Sequence, residues 1–138
     1  MYRLHSTCQG NLMVDLYSYD LSAKPVSLRN DLARIDAIQA QKLSNVIAEE
    51  DDVLLNITGA SVARCTVIPK DALPARVNQH VSLIRVKREL LNSKFLAYGL
   101  VAKANKDHLL GIGRSGGATR QALTKRDIED YEISHPSN

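Results

Sequence analysis

Apolar and polar positions fall into a readable rhythm only after residue 27. Val53-Leu54-Leu55-Asn56-Ile57-Thr58 is apolar and β-branched, and Gly59 punctuates its end, so it reads as a strand. Val62–Ile68 reads as the returning strand, with Val62, Arg64, Thr66 and Ile68 on one side; Pro69, which has no N–H for a ladder, stops it. The intervening Gly59-Ala60-Ser61 is short and contains glycine, as a hairpin turn requires. Pro69–Pro74 reads as loop, and Val77 followed by Val81–Val86 predicts a third strand. Ahead of these strands, Asp36 suits the N-cap of a short helix over Ala37–Ser44. The acidic run Glu49–Asp52 reads as an exposed turn, because four successive carboxylates repel one another and stay in water. Behind them, Ser93 reads as the N-cap of a helix from Lys94 to about Asn105, with Leu96 and Leu100 one turn apart on its apolar stripe. A second helical stretch covers Lys106–Leu110. Gly111, Gly113, Gly116 and Gly117 then mark 111–117 as loop. Thr124 with Asp127 has capping-box spacing for one helical turn, and Tyr131–Ile133 is a last strand.

These elements predict a single globular domain of the α/β (α+β) class, a mixed, largely antiparallel sheet flanked by short helices. Its expected span is 28–134, after a poorly patterned segment 1–27 in which only Leu12–Leu16 suggests a short strand, and before a tail at 135–138. The 138 residues are enough for one core and too few for two. With 44% apolar and 24% charged residues the composition is that of a folded globular chain, not a disordered one. No apolar run approaches the roughly 20 residues of a membrane-spanning helix. Cys8 and Cys65 lie far apart with no export signal ahead of them, so a reduced, cytoplasmic protein is expected rather than a disulfide framework.

Charge is unevenly distributed. Residues 1–60 carry five Lys/Arg against eight Asp/Glu, and residues 61–138 carry thirteen against seven, so the acidic first part is followed by a basic second part. A basic portion suits a polyanionic partner, since each cation set against a phosphate releases counterions. A merely solvated basic surface is the plain alternative.

Familiar catalytic strings fail on context. Gly111-Ile112-Gly113-Arg114-Ser115-Gly116 fits GxGxxG, but a dinucleotide site needs a strand before it and a helix after it, and here the order is helix then loop. Gly113–Gly117 fits GxSxG, with Asp127 and His135 following in triad order, yet no sheet separates them as a nucleophile elbow requires. His5 and Cys8 have metal-ligand spacing without a second pair, so neither a metal nor a cofactor is expected. Asn56-Ile57-Thr58 matches the glycosylation string but suits a structural role on its strand. What remains is the stretch from the glycines through Arg126. It sets Arg114, Arg120, Lys125 and Arg126 beside Ser115, Thr119, Gln121 and Thr124: donors for phosphates, with Arg and Gln able to pair with base edges. Docking of Ala122 and Leu123 on the core is the structural reading of the same residues.

Three blocks, Asp52–Ser61, Ala75–Val81 and Gly117–Lys125, resemble in order and spacing the target recognition domain of type I restriction–modification specificity subunits. The resemblance runs from about Leu28 to Ile133 and implies an α/β domain that reads one half of a split double-stranded DNA target in the major groove. It implies no catalysis by the chain itself. Its partners would be a methyltransferase (modification) subunit that binds S-adenosylmethionine and, through it, a restriction subunit. The chain looks like a single isolated or truncated recognition domain, because a full specificity subunit carries two such domains separated by long helices. On this reading Arg114, Thr119, Arg120, Gln121 and Lys125 are the first candidates for DNA contact, followed by Ser61, Arg64, Asn78 and Gln79. The shared blocks equally suit scaffold, with Asn78-Gln79-His80 satisfying backbone groups. The competing function is a protein-interaction module that binds methyltransferase subunits, or pairs with itself, without independent DNA binding.

Overall fold

The computed structural model describes residues 2–3, 35–115 and 122–134, and the account below concerns those. At its centre is a three-stranded antiparallel sheet of order β3-β2-β4, formed by β2 (Val53–Asn56), β3 (Cys65–Val67) and β4 (Val81–Ile84). Val53 faces Val67 on one side and Ile84 on the other, and Leu55 faces Cys65 and Ser82. All four residues of β2 are buried because both faces of the sheet are covered, which explains why this strand is apolar without alternation.

Each face has its own core. Val53, Leu55, Cys65 and Ile84 point into the larger one, against Leu96, Ala97 and Leu100 of α2 (Ser93–Val101), Leu109 of α3 (Lys103–Ser115) and Ile128 of α4 (Lys125–Glu129). Leu54, Val81 and Leu83 point into the smaller one, against Val46, Ile68 and Val77. A two-residue ladder between β1 (Tyr2–Arg3) and β5 (Glu132–Ile133) completes the fold; α1 (Ala37–Lys42) stands ahead of the sheet in sequence. Among the described residues, no helix is long and apolar enough to cross a membrane.

The expected α/β class and antiparallel sheet are present, with local corrections. Glycines 111 and 113 lie inside α3, which runs to Ser115, so the first part of the expected 111–117 loop is helix. The return from β2 is a 3-10 turn at Gly59–Ser61 followed by Ala63 at φ +67°, and β3 starts only at Cys65. That kink breaks the expected alternation: Val62 belongs to the larger core, Arg64 is exposed and Ile68 belongs to the smaller core. The N-cap of α2 is Asn92, whose Oδ1 accepts from Lys94 N at 2.9 Å and Phe95 N at 3.1 Å, while Ser93 is the first helical residue. The helix expected to continue to Asn105 breaks at Ala102 and restarts as α3, with Asn105 Nδ2 donating to Gly99 O across the break at 2.8 Å. The segment expected to be least patterned supplies β1, whose partner β5 lies at the opposite end of the sequence; Leu12–Leu16 is outside the described residues. The Asp36 cap of α1 and the Thr124–Asp127 capping box of α4 form as their residue types require.

The acidic run also differs from its sequence reading. Asp52 is 1% exposed, and Arg85 grips its carboxylate with Nε at 2.9 Å and Nη2 at 2.8 Å while Nη1 reaches Glu49 at 2.8 Å. Val53 and Ile84 are register partners, so the residues flanking them, Asp52 and Arg85, meet at one end of the ladder. Burying a charge is tolerated only when it is paired and hydrogen-bonded, and this one is both.

Candidate nucleic-acid interface

The other end of the sheet, where β2 stops, gathers most of the described residues singled out by sequence. Beyond Asn56 the β2 chain continues as a hub. Ile57 N donates to His80 O at 2.9 Å, and Ile57 O accepts from Leu123 N at 2.7 Å. Thr58 pairs with Ala122 in an isolated antiparallel bridge. The returning chain at Ala122–Leu123 thus pairs with the continuation of β2, on the edge of Ile57 that also bonds His80.

Around this hub sit three polar segments. The turn Gly59–Arg64 folds back on Asn56, whose N donates to Arg64 O at 2.8 Å and whose O accepts from Ala63 N at 2.9 Å, leaving Ser61 half-exposed and the Arg64 side chain in solvent. Asn78–His80 precedes β4: Asn78 Oδ1 accepts from His80 N at 2.9 Å, and Gln79 stands exposed. The third is the start of α4, where Thr124 accepts from Asp127 N and Lys125 lies 3.5 Å from Glu129.

Arg114 reaches the same neighbourhood by a different route. Ala122 N donates to Gly113 O at 3.4 Å, and a Cβ built on Gly113 would lie 3.4 Å from Ala122 O. The end of α3 therefore closes against the chain that pairs with Thr58, at van der Waals distance from position 113. Arg114 follows directly, exposed in the last turn of α3. Thr119, Arg120 and Gln121 lie outside the described residues, between two flanks, Gly113 and Ala122, that touch.

Ser61, Arg64, Asn78, Gln79, Arg114 and Lys125 are thus brought to one end. Asn78 spends its side-chain oxygen on its own turn, as the scaffold reading anticipated, whereas Gln79 and Arg64 face water. Two residues outside the first candidate set also belong here. Thr58 Oγ1 and His80 Nδ1 are 2.6 Å apart, and His80 Nε2 lies 3.3 Å from Gln79 Nε2. A sequence signal for them existed: Thr58 ends one apolar run and His80 immediately precedes another.

The catalytic strings have different local roles here. Ser115 sits at the C-terminal end of a helix, not at a strand-to-helix elbow, and its Oγ donates to Ile112 O at 2.8 Å. Asp127 is committed to the capping box. The Cys65 thiol is buried and pushed up from its ordinary value of 9.0 to about 12 by loss of solvation, so it stays a thiol rather than a nucleophilic thiolate. The two ends of the sheet differ in charge arrangement. The Asp52 end carries four carboxylates, three of them (Glu49, Asp51 and Asp52) paired with Arg85 or Arg88, and the Thr58 end carries Arg64 with Arg114 and Lys125 close by.

Compared with known families, residues 24–138 match the type I restriction modification DNA specificity domain. No curated protein matches the chain at a significant level.

Proposed function

The chain belongs to the family of type I restriction modification DNA specificity domains, and from that premise we propose that the Thr58 end of its sheet reads one half of a split duplex target in the major groove. It does so as a non-catalytic component, in the cytoplasm, alongside a methyltransferase subunit and through it a restriction subunit. One observation carries the reading: the donors Ser61, Arg64, Gln79, Arg114 and Lys125 converge on the end of β2, far along the ladder from the Glu49–Asp52 carboxylates. Thr119, Arg120 and Gln121 are proposed as further contacts on the sequence reading alone.

The roles divide by chemistry. Arg64, Arg114, Arg120 and Lys125 suit phosphates, which fix register and supply sequence-blind affinity. Gln79, Gln121, Thr119 and Ser61 suit base edges, where hydrogen-bond patterns discriminate. A single small domain offers limited contact area, so binding by the isolated chain is weak and strongly salt-dependent.

The test is titration of labelled duplexes of random and enriched sequence across a salt series. Arg64→Ala is expected to weaken all duplexes alike and reduce the salt slope by about 1. Retained binding to a methyltransferase subunit with no duplex affinity at any salt would replace this reading with the protein-interaction module.

A further inference from the structure

The contact between Gln79 and His80 joins two nitrogens, and that restricts what each can be. An amide nitrogen has no lone pair to accept a proton, so a hydrogen bond across the 3.3 Å between Gln79 Nε2 and His80 Nε2 runs one way, from the amide to an unprotonated ring nitrogen. A neutral imidazole with Nε2 bare carries its proton on Nδ1. That proton points at Thr58 Oγ1, 2.6 Å away. Thr58 is in turn held by its own N–H, which donates to Asn56 Oδ1 at 3.2 Å, and by its bridge to Ala122. In this tautomer donation runs one way along the whole chain, from exposed Gln79 through His80 to Thr58 at the end of the central strand.

The consequence is at Gln79. With the ring proton on Nδ1, inverting the amide would set Oε1 against the bare ring nitrogen and break the contact. Its free edge then presents Oε1 as an acceptor beside the second Nε2 hydrogen as a donor. An acceptor facing outward is repelled by a phosphate. The same edge matches the major-groove face of adenine, whose amino group donates and whose N7 accepts, and it mismatches guanine, which offers acceptors at both positions. Resting on the DNA-reading function above, we propose that Gln79 selects adenine over guanine at one position of the target, with His80 and Thr58 as the positioning residues that fix its amide.

Two measurements on the full chain decide it. In the first, a pool of randomised duplexes is bound, recovered and sequenced with the wild type, Gln79→Ala, Thr58→Val and Thr58→Ser, each checked for an unchanged melting transition. The expected result is one position enriched for adenine over guanine by roughly tenfold or more in the wild type. Gln79→Ala and Thr58→Val relax that position alone, and Thr58→Ser, which keeps the hydroxyl, retains it. Enrichment unchanged in Gln79→Ala, or lost evenly at every position in Thr58→Val, overturns the assignment while leaving DNA reading intact. A wild type that enriches no sequence overturns both. In the second, the nitrogen resonances of the His80 ring are read by NMR without DNA. A proton on Nδ1 supports the relay; a proton on Nε2 overturns it, because Gln79 would then have to turn its oxygen inward.

Discussion

Gly111→Ala tests the least expected feature of the fold, that the glycine-rich stretch begins as helix. Alanine is favoured over glycine in a helix interior by about 0.8–1.0 kcal/mol. Gly111 lies inside α3, is exposed, and an added Cβ there meets no atom within 4 Å. The gain therefore carries no steric penalty, and allowing for fraying near the helix end it comes to about 0.5–1 kcal/mol, or a rise of roughly 2–4 °C in melting temperature for a chain of this size. Gly113→Ala, two residues on, provides the control. It has the same propensity gain, and its Cβ would stand 3.4 Å from Ala122 O and 3.7 Å from Ala122 N and C, an ordinary van der Waals contact with that chain. The added methyl fits without strain, so Gly113→Ala is expected to stabilise by about 0.5–1 kcal/mol as well. Urea denaturation followed by far-ultraviolet circular dichroism measures both. Loss of helicity or stability in Gly111→Ala refutes a helix through this segment, and a marked loss of stability in Gly113→Ala alone refutes the room left beside Ala122.

Three further outcomes follow from the packing and the ion pair. Arg85→Met leaves the Asp52 carboxylate buried without its charged partner and is expected to destabilise by about 2–4 kcal/mol, less than a fully buried pair because the Arg85 side chain is 39% exposed; adding Asp52→Leu recovers part of the loss, and a double variant as weak as the sum of the singles refutes the account. Because the Cys65 thiol titrates near 12 in the fold against 9.0 ordinarily, the unfolded chain sheds this proton first, so stability falls as pH rises from about 9 toward 12, by about 1.4 kcal/mol per pH unit for this group. Burial raises the Tyr131 phenol as well and adds to the alkaline loss, so Cys65→Ala flattens the decline without abolishing it; an unchanged slope in stability against pH contradicts the assignment. Gly99→Ala in α2 drives a Cβ to 2.5 Å from Cδ1 of Ile133, itself 1% exposed, and should lower stability by about 0.5–2 kcal/mol in thermal denaturation despite the better helix former; Ile133→Val, which lacks that methyl, restores the double variant.

Local signals in the sequence carried the element types, and distant partners decided what they missed. The apolar runs at 53–58 and 81–86 and the Thr124–Asp127 spacing are properties of a few neighbouring residues, so strands and capping box were legible directly. Asp52 was read as solvated because its partner Arg85 lies 33 residues away, and nothing in a run of four carboxylates shows that the last one is buried. Glycines 111 and 113 were read as loop on propensity; both lie inside α3, one exposed and the other buried beside the backbone of Ala122. The Tyr2–Arg3 strand had no local pattern to betray it, since its ladder exists only through Ile133 and Glu132. For the candidate site, the sequence named the polar residues but not their meeting place. That depends on β2, β4 and the chain at 122–123 sharing one end, and it is what brings in Thr58 and His80.

A sheet with an interior on each side has little latitude on either face: a change of volume at Leu54 or Leu55 is felt by one hydrophobic cluster or the other. The rim beyond Asn56 is under no such constraint. Its turns are held by main-chain hydrogen bonds, by the Asn56 and Asn78 side chains and by positive φ at Gly59 and Ala63, so the exposed side chains at 64 and 79 and the half-exposed one at 61 lie outside what the fold requires. Architecture and margin are thereby uncoupled: on the proposed function, one scaffold would drift to new DNA sequences by substitution at its rim, with both interiors left as they are.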